Sequence, residues 1–349
     1  MKPITIILLF LSHLCCAQTQ TWKAVDTKSN ASFRGLSVVD DSVAWVSGSA
    51  GWVGRSVNGA RDWTFKRVKG YEQCDFRTLY AFDALNAIIA NAGSPAYILR
   101  TADGGSTWNE VYKNTDTAAF FDGIDFWTQK VGLVYGDPIN HHMQVLKTTD
   151  RGHTWRQLSA ASSPLLQVGE ASFAASGTCI RCINRRSVAI ATGGSVSRLW
   201  ISRNRGRQWK AINTPILQGE SSTGIFSFLP LNERHWIIAG GDYKRDTFRL
   251  DNLFSTFDAG ETWDAPRRTT RGYRECLLEL NRHDGVKPYQ TIKSTIIAAG
   301  PGGIDISYNS GTDWQSFSED KQVHVIKKSR QGNLVVMAGG RGKLAYMER

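Results

Sequence analysis

Short apolar runs return along the chain at a regular beat: Val43 to Ser47, Ala87-Ile88-Ile89-Ala90, Val131 to Tyr135, Val188-Ala189-Ile190-Ala191, Trp236-Ile237-Ile238-Ala239, Ser294 to Ala298 and Leu334 to Ala338. Each is too short for a helix, is enriched in β-branched residues and is bounded by turn residues, so each predicts a strand. In the first unit Phe33 to Val39 supplies a strand before this run, and Trp52 to Val57 leads through a turn to Trp63 and Phe65. The order strand, strand, turn, strand then recurs.

The turn has a fixed composition: a hydroxyl residue, any, Asp or Asn, any, Gly, any, a polar residue, Trp. Its best copies are Thr101 to Trp108, Thr148 to Trp155 and Thr256 to Trp263, with Asp103, Asp150 and Asp258 in the acidic slot. Weaker copies end at Trp63, Trp209 and Trp314, and the first of these has Ala60 where the others have Gly. An Asp or Asn can accept backbone N–H bonds just downstream and hold a tight turn, and Gly takes the left-handed conformation that follows. Trp then opens the next strand and is expected to bury its indole between neighbouring units. Asp103, Asp150, Asp258, Trp108, Trp155 and Trp263 are therefore structural candidates rather than catalytic ones.

From Trp22 the tryptophans follow at intervals of 41, 45, 47, 54, 54 and 51 residues, the period of a four-stranded propeller blade. The last unit ends in Leu344-Ala345-Tyr346 without a fourth strand, and Thr21 to Val25 can supply it from the other terminus. The expected fold is all-β: a seven-bladed β-propeller over 18–349, closed by the N-terminal strand so that no sheet edge is left open. A monomer is expected.

Residues 1–17 read as a signal peptide, with Lys2, an apolar run from Ile4 to Leu11 and small residues before a cut after Ala17. The chain is expected to be exported, to the periplasm or beyond. Leu14 stands before Cys15 where lipid attachment favours a small residue, which argues against an anchor. The net charge of +11 favours acidic partners, whether an acidic protein surface, a membrane-protein assembly intermediate or an anionic glycan. Nucleic acid is not expected, since no recognition motif for it is present. Arg267, Arg268, Arg271 and Arg274 are expected as solvated loop charge. Cys74, Cys179, Cys182 and Cys276 can pair in an exported protein, and Cys179 with Cys182 reads as a local disulfide or two unrelated thiols.

In a propeller the start of each innermost strand and the loop after the second strand meet around the mouth of the central channel. Aligning the units by apolar pattern places Arg34, Arg77, Asp122, Glu170, Thr223, Glu275 and His324 at one level, with Asp137, His141, His142, Asp242, Tyr243 and Arg341 on loops above them. Mixed charge in a concave mouth is the default binding site. The ligand-binding candidates are Arg34, Arg77, Asp122, Glu170, Glu275, His324, Asp242, Tyr243 and Arg341. Catalysis is not expected; a glycoside hydrolase would need two facing carboxylates, for which Glu170 with Asp122 or Glu275 is the available choice. Adjacent histidines on one loop seldom converge on an ion, so no metal is expected. No cofactor is expected either, because no strand–Gly-x-Gly-x-x-Gly–helix unit is present.

The turn repeats (Asp-boxes), the seven units and the opening Phe33-Arg34-Gly35-Leu36-Ser37-Val38-Val39-Asp40 resemble the propellers of the photosystem II stability and assembly factor family. Gly136-Asp137-Pro138, Ser172 to Thr178 and Gly240-Gly241-Asp242-Tyr243 are similar to bacterial relatives of that family. The resemblance covers nearly the whole mature chain and implies an assembly chaperone that docks on a membrane-protein intermediate through a basic face. A more distant resemblance is to sialidase-type propellers, which have six blades and an Arg-Ile-Pro signature that this chain lacks.

Overall fold

The computed structural model describes residues 21–283 and 293–348, so the proposed signal peptide lies outside the described residues. Among the described residues the strands form seven sheets, six of four strands and one of five, arranged as the blades of a propeller. The innermost strands are Phe33–Val38, Thr78–Ala81, Phe121–Phe126, Ile180–Cys182, Thr223–Pro230, Cys276–His283 and Val323–Lys328. No helix among the described residues is long and apolar enough to cross a membrane.

The ring closes as its sequence predicts. Thr21–Ala24 runs antiparallel to Leu344–Glu348, with Trp22 opposite Met347 and Ala24 opposite Ala345, and so completes the blade that the C-terminal strands begin.

All six turn copies are built alike. Thr101 Oγ1 donates to Asp103 Oδ1 at 2.8 Å and accepts from Gly105 N at 3.0 Å, while Thr107 N donates to Asp103 Oδ1 at 2.9 Å. The same contacts recur around Asp150 and Asp258, and around Asn58, Asn204 and Asn309 in the weaker copies. Hydrogen bonds from Thr107 hold the Asp103 carboxyl down at about 2. The slot after the turn has φ between +63° and +90° in every copy, Ala60 included, which is why Gly fills it five times. Trp108 meets Trp45 of the preceding blade edge-on at 6.4 Å, and Trp314 is buried against Ile237 of the blade before it. These tryptophans fill the seams between blades.

The four cysteines are all free thiols, so of the two readings of Cys179 and Cys182 the unrelated thiols hold and the disulfide does not. Cys179 and Cys182 stand three residues apart along one extended stretch, which aims them at opposite faces; the Cys179 thiol donates to Phe226 O at 3.0 Å. The arginines after Trp263 are not all solvated. Arg274 is fully buried and its guanidinium pairs with Asp305, which also takes the Nε of Arg271 at 2.8 Å.

The fourth and fifth blades depart from the simple repeat. Glu170–Ala171 and Gly193–Gly194 are added inside the innermost strand of the fifth blade, in the order Glu170–Ala171, Gly193–Gly194, Thr223–Pro230. Gly193 pairs with Gly224 so closely that a Cβ on Gly193 would lie 2.6 Å from the Gly224 Cα. Only paired glycines permit that approach. The outer strand of this blade is reduced to one bridge, Ser255 with Asp264.

Candidate functional site

The added strands anchor a segment that crosses the channel mouth. Glu170, 1% exposed, accepts hydrogen bonds from Thr192 Oγ1 at 2.7 Å, Trp200 Nε1 at 3.0 Å and Gln167 N at 2.9 Å, and forms an ion pair with Arg198. From this clamp the chain runs through Ser172 to Thr178 and touches four blades. Ser172 N donates to Asp137 Oδ1 at 3.1 Å, and Phe173 stacks on Phe226 at 3.9 Å. Ala175 O accepts from Arg34 at 2.9 Å, Ser176 Oγ donates to Glu275 O at 2.7 Å, and Thr178 Oγ1 donates to Ser227 Oγ at 2.8 Å.

This crossing corrects the expected ring. Strand pairing and the bulges at Arg34, Asp122, Phe226 and His324 place Thr178 and Phe226, rather than Glu170 and Thr223, level with Arg34, Arg77, Asp122, Glu275 and His324. The apolar run Phe173-Ala174-Ala175 has the look of an innermost strand, but the strand of that blade begins at Ile180.

Above the crossing segment lies a pocket of about 450 Å³ whose lining includes Arg34, Arg77, Asp137, Tyr243, Glu275 and His324. Glu275 Oε2 receives Arg34 Nη1 at 2.8 Å and His324 Nδ1 at 2.9 Å. Burial raises the Glu275 carboxyl, but the Arg34 charge and His324 more than offset it, so its pKa lies below the usual value. Arg77 binds Asp75 at 2.7 Å and keeps a third of its side chain exposed. Tyr243 is 47% exposed and meets the Phe173 and Phe226 rings edge-on. The lip of the pocket therefore offers two arginines beside an aromatic shelf.

The remaining candidates are elsewhere. Asp242 is buried just behind Tyr243 and holds Arg245 at 2.7 Å; Arg341 binds Gln322 at 2.8 Å outside the pocket. Asp137 lines the pocket with its pKa raised by burial, whereas His141 sits at the hairpin tip and His142 pairs with Leu165. Asp122 is fully buried, and neither carboxylate oxygen has a hydrogen-bond partner among the described residues. Of the three carboxylates weighed for hydrolysis, only Glu275 lines the pocket, and it is spent on Arg34 and His324.

Asp122 carries a prediction. Burial, with Asp137 adding, raises its pKa well above the ordinary value. A folded-state pKa above the unfolded one means that the group costs stability as pH rises past about 4, where the unfolded chain ionises freely. Asp122→Asn is thus expected to raise the melting temperature, and the gain should widen from acid toward neutral pH. Thermal melts of both proteins across that range check it.

A family model described as photosynthesis system II assembly factor YCF48 matches residues 14–118. The photosystem II assembly lipoprotein Ycf48 of Synechococcus sp. (strain CC9902) is 24% identical over 140 residues, and the match spans 40% of each protein. The structure of YCF48 bound to D1 peptide matches over 94% of this chain and 95% of its own, with a TM-score of 0.63 at 15% identity. The chain is thus similar to photosystem II assembly factors in sequence over its first third and to their propellers in fold over most of its length. YCF48 from Cyanidioschyzon merolae matches this propeller with a TM-score of 0.59 at 14% identity, over 94% of this chain and 98% of that one. A GH74 xyloglucanase from Xanthomonas campestris reaches 0.57 at 13% identity, over 93% of this chain and 53% of its own. At such identities the structural likeness speaks for the propeller fold alone.

Proposed function

We propose that this propeller is an exported, non-catalytic assembly module that binds an acidic extramembrane segment of a membrane-protein intermediate across its channel mouth. The observation that carries this reading is the mouth itself, where Arg34 and Arg77 stand beside exposed Tyr243 over a pocket floored by a fixed crossing segment. Arginine and tyrosine are the residues most often found at binding hot spots. The excess of 42 Lys and Arg over 31 Asp and Glu favours an acidic partner. Two similar proteins support the same direction: one is described as an assembly lipoprotein, in keeping with export, and another is bound to a peptide.

Double substitution Arg34→Ala and Arg77→Ala is expected to weaken binding of acidic peptides, drawn from exported tails of membrane proteins, by roughly tenfold or more at low salt. The difference should shrink as salt screens charges beyond about 8–10 Å. Titration by calorimetry over a salt series reads both effects. Equal affinities at low salt would remove the mouth from the binding reaction.

A further inference from the structure

About three residues beyond the mouth level, six of the seven innermost strands line a second recess, and its lining includes Tyr80, Asp125, Arg181, Lys327, Lys328 and Arg330. The chamber holds about 130 Å³ and is bounded toward the mouth by Gly177 of the crossing segment. Four of its lining side chains are cationic and one is a carboxylate. Asp125 accepts from Phe126 N at 2.8 Å and from Cys182 N at 2.7 Å, and its one negative charge stands against four positive ones. Lys328 Nζ is tied to Leu280 O at 2.8 Å, and Arg330 binds Ala81 O and lies over the Tyr80 ring at 4.6 Å.

Two cations remain. Arg181 Nε is shut off from solvent and has no partner among the described residues. Lys327 faces Arg181 across the recess, and burial, with Arg181 adding and Asp125 only partly opposing, pushes its pKa down to about 8. Like charges in so small a recess are unfavourable unless a counter-charge occupies it.

We propose that this inner chamber binds a small inorganic oxyanion, phosphate or sulfate, between Lys327 and Arg181. The guanidinium offers a planar fork of donors to such an anion and the ammonium a point charge. The recess matches a small ion in size, and it is a site separate from the proposed docking mouth.

Inorganic phosphate titrated into the mature chain in anion-poor buffer, followed by calorimetry, tests the proposal. The expected result is saturable binding with competition by sulfate, weakened roughly tenfold or more by Lys327→Met, since a charge-assisted hydrogen bond is lost. The Arg341→Ala protein, which loses a cation outside both pockets, should bind phosphate like wild type. Without phosphate, Lys327→Met should melt higher than wild type because repulsion with Arg181 is relieved, and that same measurement shows it is folded. Absence of saturable binding by wild type, or equal affinity in Lys327→Met, overturns the proposal.

Discussion

Glu170→Ala is expected to lower folding stability by about 3–5 kcal/mol, the usual loss when a buried ion pair is left with one charged partner. Arg198 is 8% exposed and would keep its charge with no acceptor, Trp200 would lose its acceptor, and Thr192 would keep only Arg198 O at 3.2 Å. Glu170→Gln should suffer most of the same loss, because its amide N–H₂ would face the guanidinium donors. Replacing both residues, Glu170→Leu with Arg198→Met, should recover part of it, since an apolar pair carries no desolvation cost. Urea unfolding of the four proteins gives the comparison. A Glu170→Gln protein as stable as wild type would show that the clamp is not structural and would reopen Glu170 as a reactive group.

Asp305→Ala is expected to cost a similar amount, about 3–5 kcal/mol, for the same reason. Arg274 is fully buried with Asp305 as its carboxylate partner, and Arg271 uses both its backbone N–H and its Nε on that residue. The loss should be insensitive to salt, because buried pairs are poorly screened. Asp313→Ala is the contrast: it frees Arg267, whose side chain is 75% exposed, and should change stability little. Equal effects from the two substitutions would refute the assignment of Asp305 as the buried anchor of that blade.

What could be read in advance was what the chain specifies locally. Short continuous apolar runs gave the strands, and Thr101, Asp103 and Gly105 fix their turn through contacts within four residues of one another, so the blade count and the closure by Thr21–Ala24 followed. Arg34, Arg77, Glu275 and His324 were found because each stands at the start of an innermost strand, at one level. The crossing segment was not legible. Its partners are Arg34 and Glu275, 141 and 99 residues distant, and its own Phe173-Ala174-Ala175 imitates a strand. The burial of Arg274 was hidden for the same reason, since Asp305 lies 31 residues away. The inner chamber did have a signal: extending the strand alignment by three residues puts Tyr80, Asp125, Arg181 and Lys327 at one level.

The central claim is that the channel mouth is the docking face. Hydrogen exchange of the mature chain, with and without the tightest acidic peptide from the titration series, tests it most directly, because protection maps the contact along the backbone. Slowed exchange is predicted at the start of the innermost strands near Arg34 and Arg77, in Ser172 to Thr178 and around Tyr243, with no change at the turns of Asp103, Asp150 and Asp258 on the opposite face. Protection confined to those turns would contradict the account.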